Sequence, residues 1–479
     1  MDEPLTVEFV ARSVSGRVIG DGSIKVAGIT HDSRQVRVGM LFAAVRGFVT
    51  DGHEFIGDAL ESGAAALCVD DPVAVPSDVA AIVVPDVRSA LGRISAAIYG
   101  NPSHRLRLVG ITGTNGKTTV AHFLESIAAA AGIPQAILST AGARINGEPV
   151  DLVRTTPEAT DLQRMLAEMA GRGVDIAAVE VSSHALVLGR VDATEFRVGA
   201  FTNLSQDHLD FHEDMEDYFQ AKAKLFDRSA LGVVWVDDPA GARLAAEAEV
   251  PIVSVGMGDA DVRGKPVAVT LDGSVFDVAG RGGGARIHLR LAGRFNMENA
   301  LVAAACANAL GIAWDTIADG IGRVTSIPGR FEIVNTRKDC TVVVDYAHTP
   351  EGVESVVVAA RELAGGGRVI AVVGAGGDRD REKRPLMGAA VATADLAVIT
   401  TDNPRSEDPA FIASEVAAGA GADALVVVDR REAIRAAIER ATSEDVVLIL
   451  GKGHEQFQEV AGELRPFDDR QVAREEAAR

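Results

Sequence analysis

The residues most suited to chemistry lie in Gly110-Ile-Thr-Gly-Thr-Asn-Gly-Lys117-Thr118-Thr119. A strand-like run, RLRLVGIT, leads into this turn, and an apolar helical run, VAHFLESIAAAAG, leads out of it. Backbone N–H groups of Gly113, Thr114, Asn115 and Gly116, followed by a helix N-terminus, make a cradle for phosphate. Lys117 would neutralise terminal phosphates, and the hydroxyl of Thr118, next to Thr119, would ligate Mg²⁺. The general phosphate-loop pattern asks for glycine where Ile111 stands, so the match departs at one position. A solvent-facing lysine on a plain glycine turn is the competing reading, and the Gly-Lys-Thr-Thr context argues against it.

Other reactive groups recur at the ends of strand-like runs. Glu180 ends a run in VEVSSHAL, and His208 and Asp210 lie in QDHLDFH. A carboxylate and an imidazole near a phosphate loop suit a divalent cation. His212, a lone histidine, reads as a packed or surface residue. Lys222, in YFQAKAKLF, reads from its spacing as one of two solvated lysines on an amphipathic helix. Farther along, DYAHTP, GAGGDRD, TDNPRSED and GKGHEQ all follow strand-like runs. In a doubly wound sheet, sites gather at those carboxyl ends.

The elements that position these groups follow from pattern and composition. A chain of 479 residues suggests two to four domains. Hydrophobic residues make up 47% and charged residues 24%, as in an ordinary globular protein. The formal charge of −21 disfavours nonspecific nucleic-acid binding and most simply serves solubility. Cys68, Cys306 and Cys340 have no metal-like spacing, so reduced thiols and a cytoplasmic location are expected. MDEPLTVEFVA lacks the pattern of a signal peptide, and no apolar run is long enough for a membrane span.

Residues 1–103 read as short strands and helices, with Asn101-Pro102-Ser103 as a hinge. Alternating strands and helices then predict a parallel sheet. LDGSVFDVAGRGGGARIHLRLAG reads as an inserted hairpin with its loop at Gly282-Gly283-Gly284. Near residue 333 a doubly wound unit begins, with strands predicted at TVVVDYA, RVIAVVGA, LAVITTD, ALVVVDR and DVVLILG.

TGTNGKTT resembles the signature of the Mur ligases and their relatives, the folylpolyglutamate synthetases. HDSR, DGHEFI, TTPE, EVSSHAL, FTNLSQDHLDFH, YFQAKAKLF, NMENA, PGRFE, DYAHTP, GGDRD, DNPR and GKGHE extend the resemblance over nearly the whole chain. It implies an α/β protein of three domains: a UDP-muramyl substrate-binding domain (1–103), a central P-loop ATPase with a parallel sheet (104–332), and a C-terminal doubly wound, Rossmann-like amino-acid-binding domain (333–479). It further implies a monomeric, ATP-dependent ligase of peptidoglycan synthesis. That ligase would join meso-diaminopimelate to the D-Glu γ-carboxylate of UDP-MurNAc-L-Ala-D-Glu through an acyl phosphate, with two Mg²⁺ ions.

The resemblance assigns roles residue by residue. Thr118, Glu180, His208 and a carbamylated Lys222 would hold metal, the last against the solvated reading. Asn299, Arg330, Asp345 and His348 would contact the nucleotide. Ser33 would meet the uridine nucleotide, while Phe48 and Val49 depart from the polar residues of some members, so no uridine contact is carried over there. Thr155, Thr156 (with Pro157 and Glu158), Ser182 and Arg190 would hold the muramyl peptide. Arg379, Asp402, Asn403, Pro404, Arg405, Gly451 and Glu455 would bind the incoming amino acid. Arg405 would grip its distal carboxylate and Glu455 its ammonium. Glu382 stands where glycine is usual, which bears on the loop shape. An L-lysine-adding homologue would have no use for Arg405. A folylpolyglutamate-type ligase would leave HDSR and the leading domain without a role. A catalytically silent scaffold would not need Lys117, Glu180, His208 and Lys222 together.

Overall fold

The computed structural model describes residues 5–47, 50–152, 154–270 and 273–479. Phe48 and Val49 lie outside the described residues. Three sheets follow one another along the chain. The first has five strands in the order Arg17–Ile19, Ala80–Val83, Ala66–Val69, Met40–Ala43 and Gly28–Thr30, parallel except for the first. The helix Val87–Ile98, capped by Asp86, packs its apolar side into the core beside this sheet.

The second sheet has eleven strands. At its centre Arg107–Thr112 lies between Ile176–Glu180 and Val198–Phe201, parallel to both. The parallel strands are buried on both faces, so they read as continuous apolar runs such as IAAVE and GVVW. Their shared direction brings the end of the phosphate-loop strand, Glu180 and the turn after Phe201 to one edge. Antiparallel strands extend the sheet at both ends. The inserted hairpin pairs Gly273–Gly280 with Gly283–Leu289. Its turn is only Arg281-Gly282; Gly283 and Gly284 belong to the strand, paired with Gly280 and Ala279. A Cβ at Gly284 would collide with the Val278 carbonyl, which explains a glycine run inside a strand.

The third sheet has six strands in the order Glu332–Val334, Thr341–Asp345, Val446–Leu450, Val369–Val373, Leu396–Ile399 and Leu425–Val426. All are parallel except the first. ALVVVDR forms only the two-residue strand Leu425–Val426, because it is the sheet edge and Asp429 already caps the next helix. The Asn101-Pro102-Ser103 segment is compact: Asn101 is left-handed at φ 49° and Pro102–Arg105 forms a 3₁₀ turn with Pro102 and Ser103 buried. Among the described residues, no helix is long and apolar enough to cross a membrane.

The last helix, Asp469–Ala477, is tied in by charge. Arg430 and Asp469 are fully buried and pair through two hydrogen bonds of 2.8 and 2.6 Å. Arg430 also donates to the carbonyls of Thr401 and Leu450. It thereby clamps the ends of the strands that carry the Asp402 and Gly451 loops. Asp469→Ala should cost about 3–5 kcal/mol, the usual result of leaving a buried charge unpaired. The double variant Arg430→Met/Asp469→Leu should recover much of that loss in urea denaturation. A single variant as stable as the wild type would show that the clamp does not hold the helix.

Candidate functional site

The phosphate loop is shaped by its glycines. Gly113 has φ 143° and Gly116 has φ 88°, and a Cβ would strike Thr202 at the first and Asn299 at the second. Gly116 leads into the helix Lys117–Ala130 with no side-chain cap. Its first N–H groups are therefore left for a ligand. The neighbouring strand end holds the loop: Asn203 accepts from the N–H groups of Thr114 and Asn115, and Thr202 donates to the Asn115 carbonyl.

Two lysines converge on this loop. Lys117 Nζ donates to the carbonyls of Gly113 and Thr114, each at 2.8 Å. Lys222 Nζ donates to the same Gly113 carbonyl at 2.9 Å and lies 4.2 Å from the centre of the Tyr218 ring. Lys222 is 1% exposed, so the solvated reading is wrong for it; Lys224 is the exposed lysine of the pair. The helix Met215–Ala223 turns its apolar side, with Tyr218, Phe219 and Ala221, into the domain, and Lys222 goes with it. Burial, with the Lys117 charge added, pushes the Lys222 ammonium well below its ordinary pKa, against the opposing pull of Asp207. Burial also lowers Lys117, with Glu180 opposing.

Glu180 is fully buried and accepts from the Thr140 N–H at 2.9 Å and from its hydroxyl at 3.0 Å. His208 sits in a left-handed backbone at φ 57°. Burial lowers its imidazole to about 3, leaving it neutral at physiological pH. Asp207, missed by sequence reasoning, is the central charge here. It bonds Lys383 at 3.0 Å and lies 3.4 Å from both His348 and His208. Burial alone would raise its pKa, but the His348 hydrogen bond and the Lys383 charge hold it well below the usual range. Lys383 and His348 come from the third sheet's unit, so this cluster joins it to the second. His212 is packed, bonded to Asp217 and Ser183, and Asp210 is exposed.

Beside the loop lies a cavity of about 420 Å³ lined by Gly116, Thr119, Asn299, Arg330 and Asp345 among others. Arg330 donates to Thr118 Oγ1 at 2.7 Å and stacks over Tyr346. Asp345 accepts from the N–H groups of Phe331 and Ala347, both at 2.6 Å, and burial raises its pKa.

On the other side of Glu180, Thr156 donates to the Glu180 carbonyl and accepts from the Ser182 N–H. Thr155 lies 3.1 Å from the Thr140 hydroxyl. Arg190 donates to the Thr156 carbonyl. These four residues are thus brought together around one strand end. Ser33 is in a 3₁₀ turn capped by Asp32. That turn lies just past His31, whose Nδ1 meets Thr160 at 2.9 Å across the first and second units.

A second cavity, of about 750 Å³, is lined by Asn403, Arg405, His454 and Glu455 on one wall and by Thr140 and Gly142 on the other. Asn403 donates to Glu455 at 2.9 Å and accepts from Lys452 at 3.0 Å. Lys452 is fully buried, bonds Glu455 as well, and was missed by sequence reasoning. Arg405 has φ 51°, uncommon outside glycine and characteristic of constrained sites. It donates to the Gly377 carbonyl at 2.6 Å and lies 3.3 Å from Glu459. Arg379 is exposed and borders the same Gly376 that Arg405 covers. Gly451, at φ 110°, has no room for a Cβ beside the buried Asp402, and Pro404 packs its carbonyl against Gly377. Glu382 is exposed and starts the helix Lys383–Val391 with an ordinary right-handed backbone at φ −66°, a conformation that does not call for glycine.

Nothing in the sequence marks Thr140, whose partner Glu180 is forty residues away. Asp207 could have been suspected from its place beside His208.

This arrangement has relatives. Three family models match: Mur ligase family, catalytic domain, over residues 25–99; Mur ligase middle domain over 111–307; and Mur ligase, glutamate ligase domain over 329–453. A Streptomyces coelicolor protein named UDP-N-acetylmuramoyl-L-alanyl-D-glutamate–2,6-diaminopimelate ligase is 49% identical, covering 95% of this chain and 93% of its own. A solved structure of a ligase of that same name is 30% identical, covers 99% of both chains and has a TM-score of 0.69. MurF ligase from Thermotoga maritima in complex with ADP, at 19% identity, shares the fold with a TM-score of 0.68 over 90% of this chain and 94% of its own. With family models matched on all three sheets and a relative 49% identical along nearly its full length, the chain belongs to the Mur ligase family.

Proposed function

We propose that this chain joins meso-diaminopimelate to the D-Glu γ-carboxylate of UDP-MurNAc-L-Ala-D-Glu, driven by ATP, in peptidoglycan precursor synthesis. The observation that carries the reading is the position of Thr140. It bonds Glu180, beside the phosphate loop, and also walls the cavity that holds Arg405 and Glu455. An amine bound in that cavity therefore meets a carboxylate activated at the loop. Residues 1–103 hold the UDP end around Ser33, 104–332 hold ATP and the muramyl peptide, and 333–479 hold the amino acid.

The loop amides and Lys117 bind the terminal phosphates of ATP and stabilise charge on the transferring phosphoryl group. Asn299, Arg330 and Asp345 line the cavity for the rest of the nucleotide, and His348 stands beside it on Asp207. Thr155, Thr156, Ser182 and Arg190 hold the peptide so that its γ-carboxylate receives the phosphoryl group. The amine then attacks the acyl phosphate and phosphate leaves. The Lys383–Asp207 contact holds the third unit against the second and keeps water from the acyl phosphate.

Mg²⁺ would be held by Thr118, Glu180, His208 and a carbamate on Lys222. The donor set fits: the imidazole is neutral, Glu180 keeps lone pairs beyond those taken by Thr140, and Lys222 is buried without a carboxylate partner. The described residues hold no cluster of three His, Cys, Asp or Glu side chains suited to a metal. Hydroxyl, carbamate or phosphate oxygens would have to complete the shell. Bound there, Mg²⁺ would neutralise phosphate charge during transfer.

Lys222→Ala should lose ligation by roughly a hundredfold or more, the scale for removing transition-state charge stabilisation. Added short-chain carboxylic acids should restore part of it, and no rescue in a folded variant would count against the carbamate. Arg405→Ala should raise the diaminopimelate KM at least about tenfold, since charge-assisted hydrogen bonds contribute about 1.5–3 kcal/mol each. It should also narrow the preference over L-lysine, which lacks the distal carboxylate, and leave the ATP KM almost unmoved. Equal kcat/KM for lysine and diaminopimelate in the wild type would remove the amino-acid assignment.

A further inference from the structure

The family resemblance assigns Asn299 and Arg330 to the nucleotide and gives no role to Glu298, which lines the same cavity. Asn299 is 7% exposed and lines the cavity, and its side-chain amide has no hydrogen-bond partner among the described residues. Arg330 Nε, lining the same cavity, is also buried without a partner. Such groups await a polar ligand. Next to Asn299 on the helix Arg294–Ala309 stands Glu298, which lines the cavity too. Carboxylates from two other elements converge on it: Asp237, after the strand Gly232–Trp235, and Glu351, in the first turn of the helix Pro350–Ala364. Among the described residues its cationic neighbour is Arg294, 3.5 Å away and itself largely exposed, while the Glu298 side chain is about one-third exposed.

Of the five carboxylates that line the pocket, Asp237, Glu298 and Glu351 form one cluster, and such a cluster is costly at the phosphate end of a polyphosphate site. That end is fixed by Gly116, Thr119 and Arg330. Asn299 touches Gly116, and Glu298 and Phe295 carry the wall onward from it. The acidic groups therefore face the nucleoside rather than the phosphates.

We propose that Glu298 reads the purine, accepting a hydrogen bond from the exocyclic amino group of adenine and repelling the 6-oxo group of other purines. This rests on the reading of the cavity as an ATP site. A site built to accept from an amino group rejects an analogue that offers a lone pair there, because two acceptors then face each other. Burial, reinforced by Asp237 and Glu351 and opposed by Arg294, lifts Glu298 to about 7. The sign follows: below that value the neutral carboxyl can donate to a 6-oxo group, and above it the carboxylate excludes it. Discrimination should grow as pH rises from 6 to 8.

The test compares ADP and IDP binding by calorimetry at pH 6 and pH 8 in the wild type and in Glu298→Gln. These ligands differ only at the six-membered ring of the base, and the measurement does not depend on ligation. Glu298→Gln, whose amide can donate to an oxo group, should lower the ADP/IDP affinity ratio at pH 8 by about tenfold, as for loss of one discriminating hydrogen bond. It should also abolish the pH dependence of that ratio. If Glu298 only pairs with Arg294 along the helix, the thermal stability shifts and the ratio does not, and the proposal falls. A ratio unchanged in the variant, or independent of pH in the wild type, overturns it while leaving the ATP site intact. No ADP binding at all overturns both readings. ADP binding, with no phosphate released from ATP when the UDP-muramyl dipeptide and meso-diaminopimelate are both present, overturns only the ligase assignment.

Discussion

One carbonyl oxygen organises the catalytic end. Gly113 can present it to both Lys117 and Lys222 because its backbone takes a conformation that a side chain would forbid against Thr202. Two ammonium groups on one acceptor repel each other, and the pull of Asp207 does not outweigh the burial of Lys222 and that repulsion. A buried lysine in that position is held neutral more readily than an exposed one, and a neutral amine is the form that takes up CO₂. The phosphate loop and the helix carrying Lys222 are therefore one device, though more than a hundred residues separate them.

The sequence made the local parts of this legible. Strand, loop and helix around Lys117 could be read because their geometry is short-range. The third sheet could be read because parallel strands buried on both faces leave continuous apolar runs. The inserted hairpin was legible as an element, but its turn was not: three glycines look like a loop when two of them are strand residues, one of which, Gly284, faces a close carbonyl. Lys222 shows the limit most clearly. Its spacing allowed a solvated lysine, and only the tertiary position of the helix buries it.

The residues that sequence reasoning missed share a cause. Thr140, Asp207, Lys383 and Lys452 act on partners supplied by other elements, and no periodicity records such pairs. Lys452 pairs with Glu455 and anchors Asn403, so the second cavity arrives with its acceptors already oriented. The left-handed Arg405 adds fixed geometry to fixed charge. Preorganisation of this kind spares the ordering cost that a flexible cavity would incur at binding.

The joint between the second and third units has a character of its own. It joins a buried ion pair, Lys383 with Asp207, to an apolar contact in which Ala292 and Phe295 pack on the third unit's core. Separating two buried ions loses their attraction but returns both to water, and the two effects nearly cancel. Parting the ion pair is therefore far cheaper than exposing an equal area of leucine and valine, and the Phe295 contact carries the rest of the cost. A joint made this way yields first at its ions and last at its aromatic ring, so the two units can part there without either losing its own core.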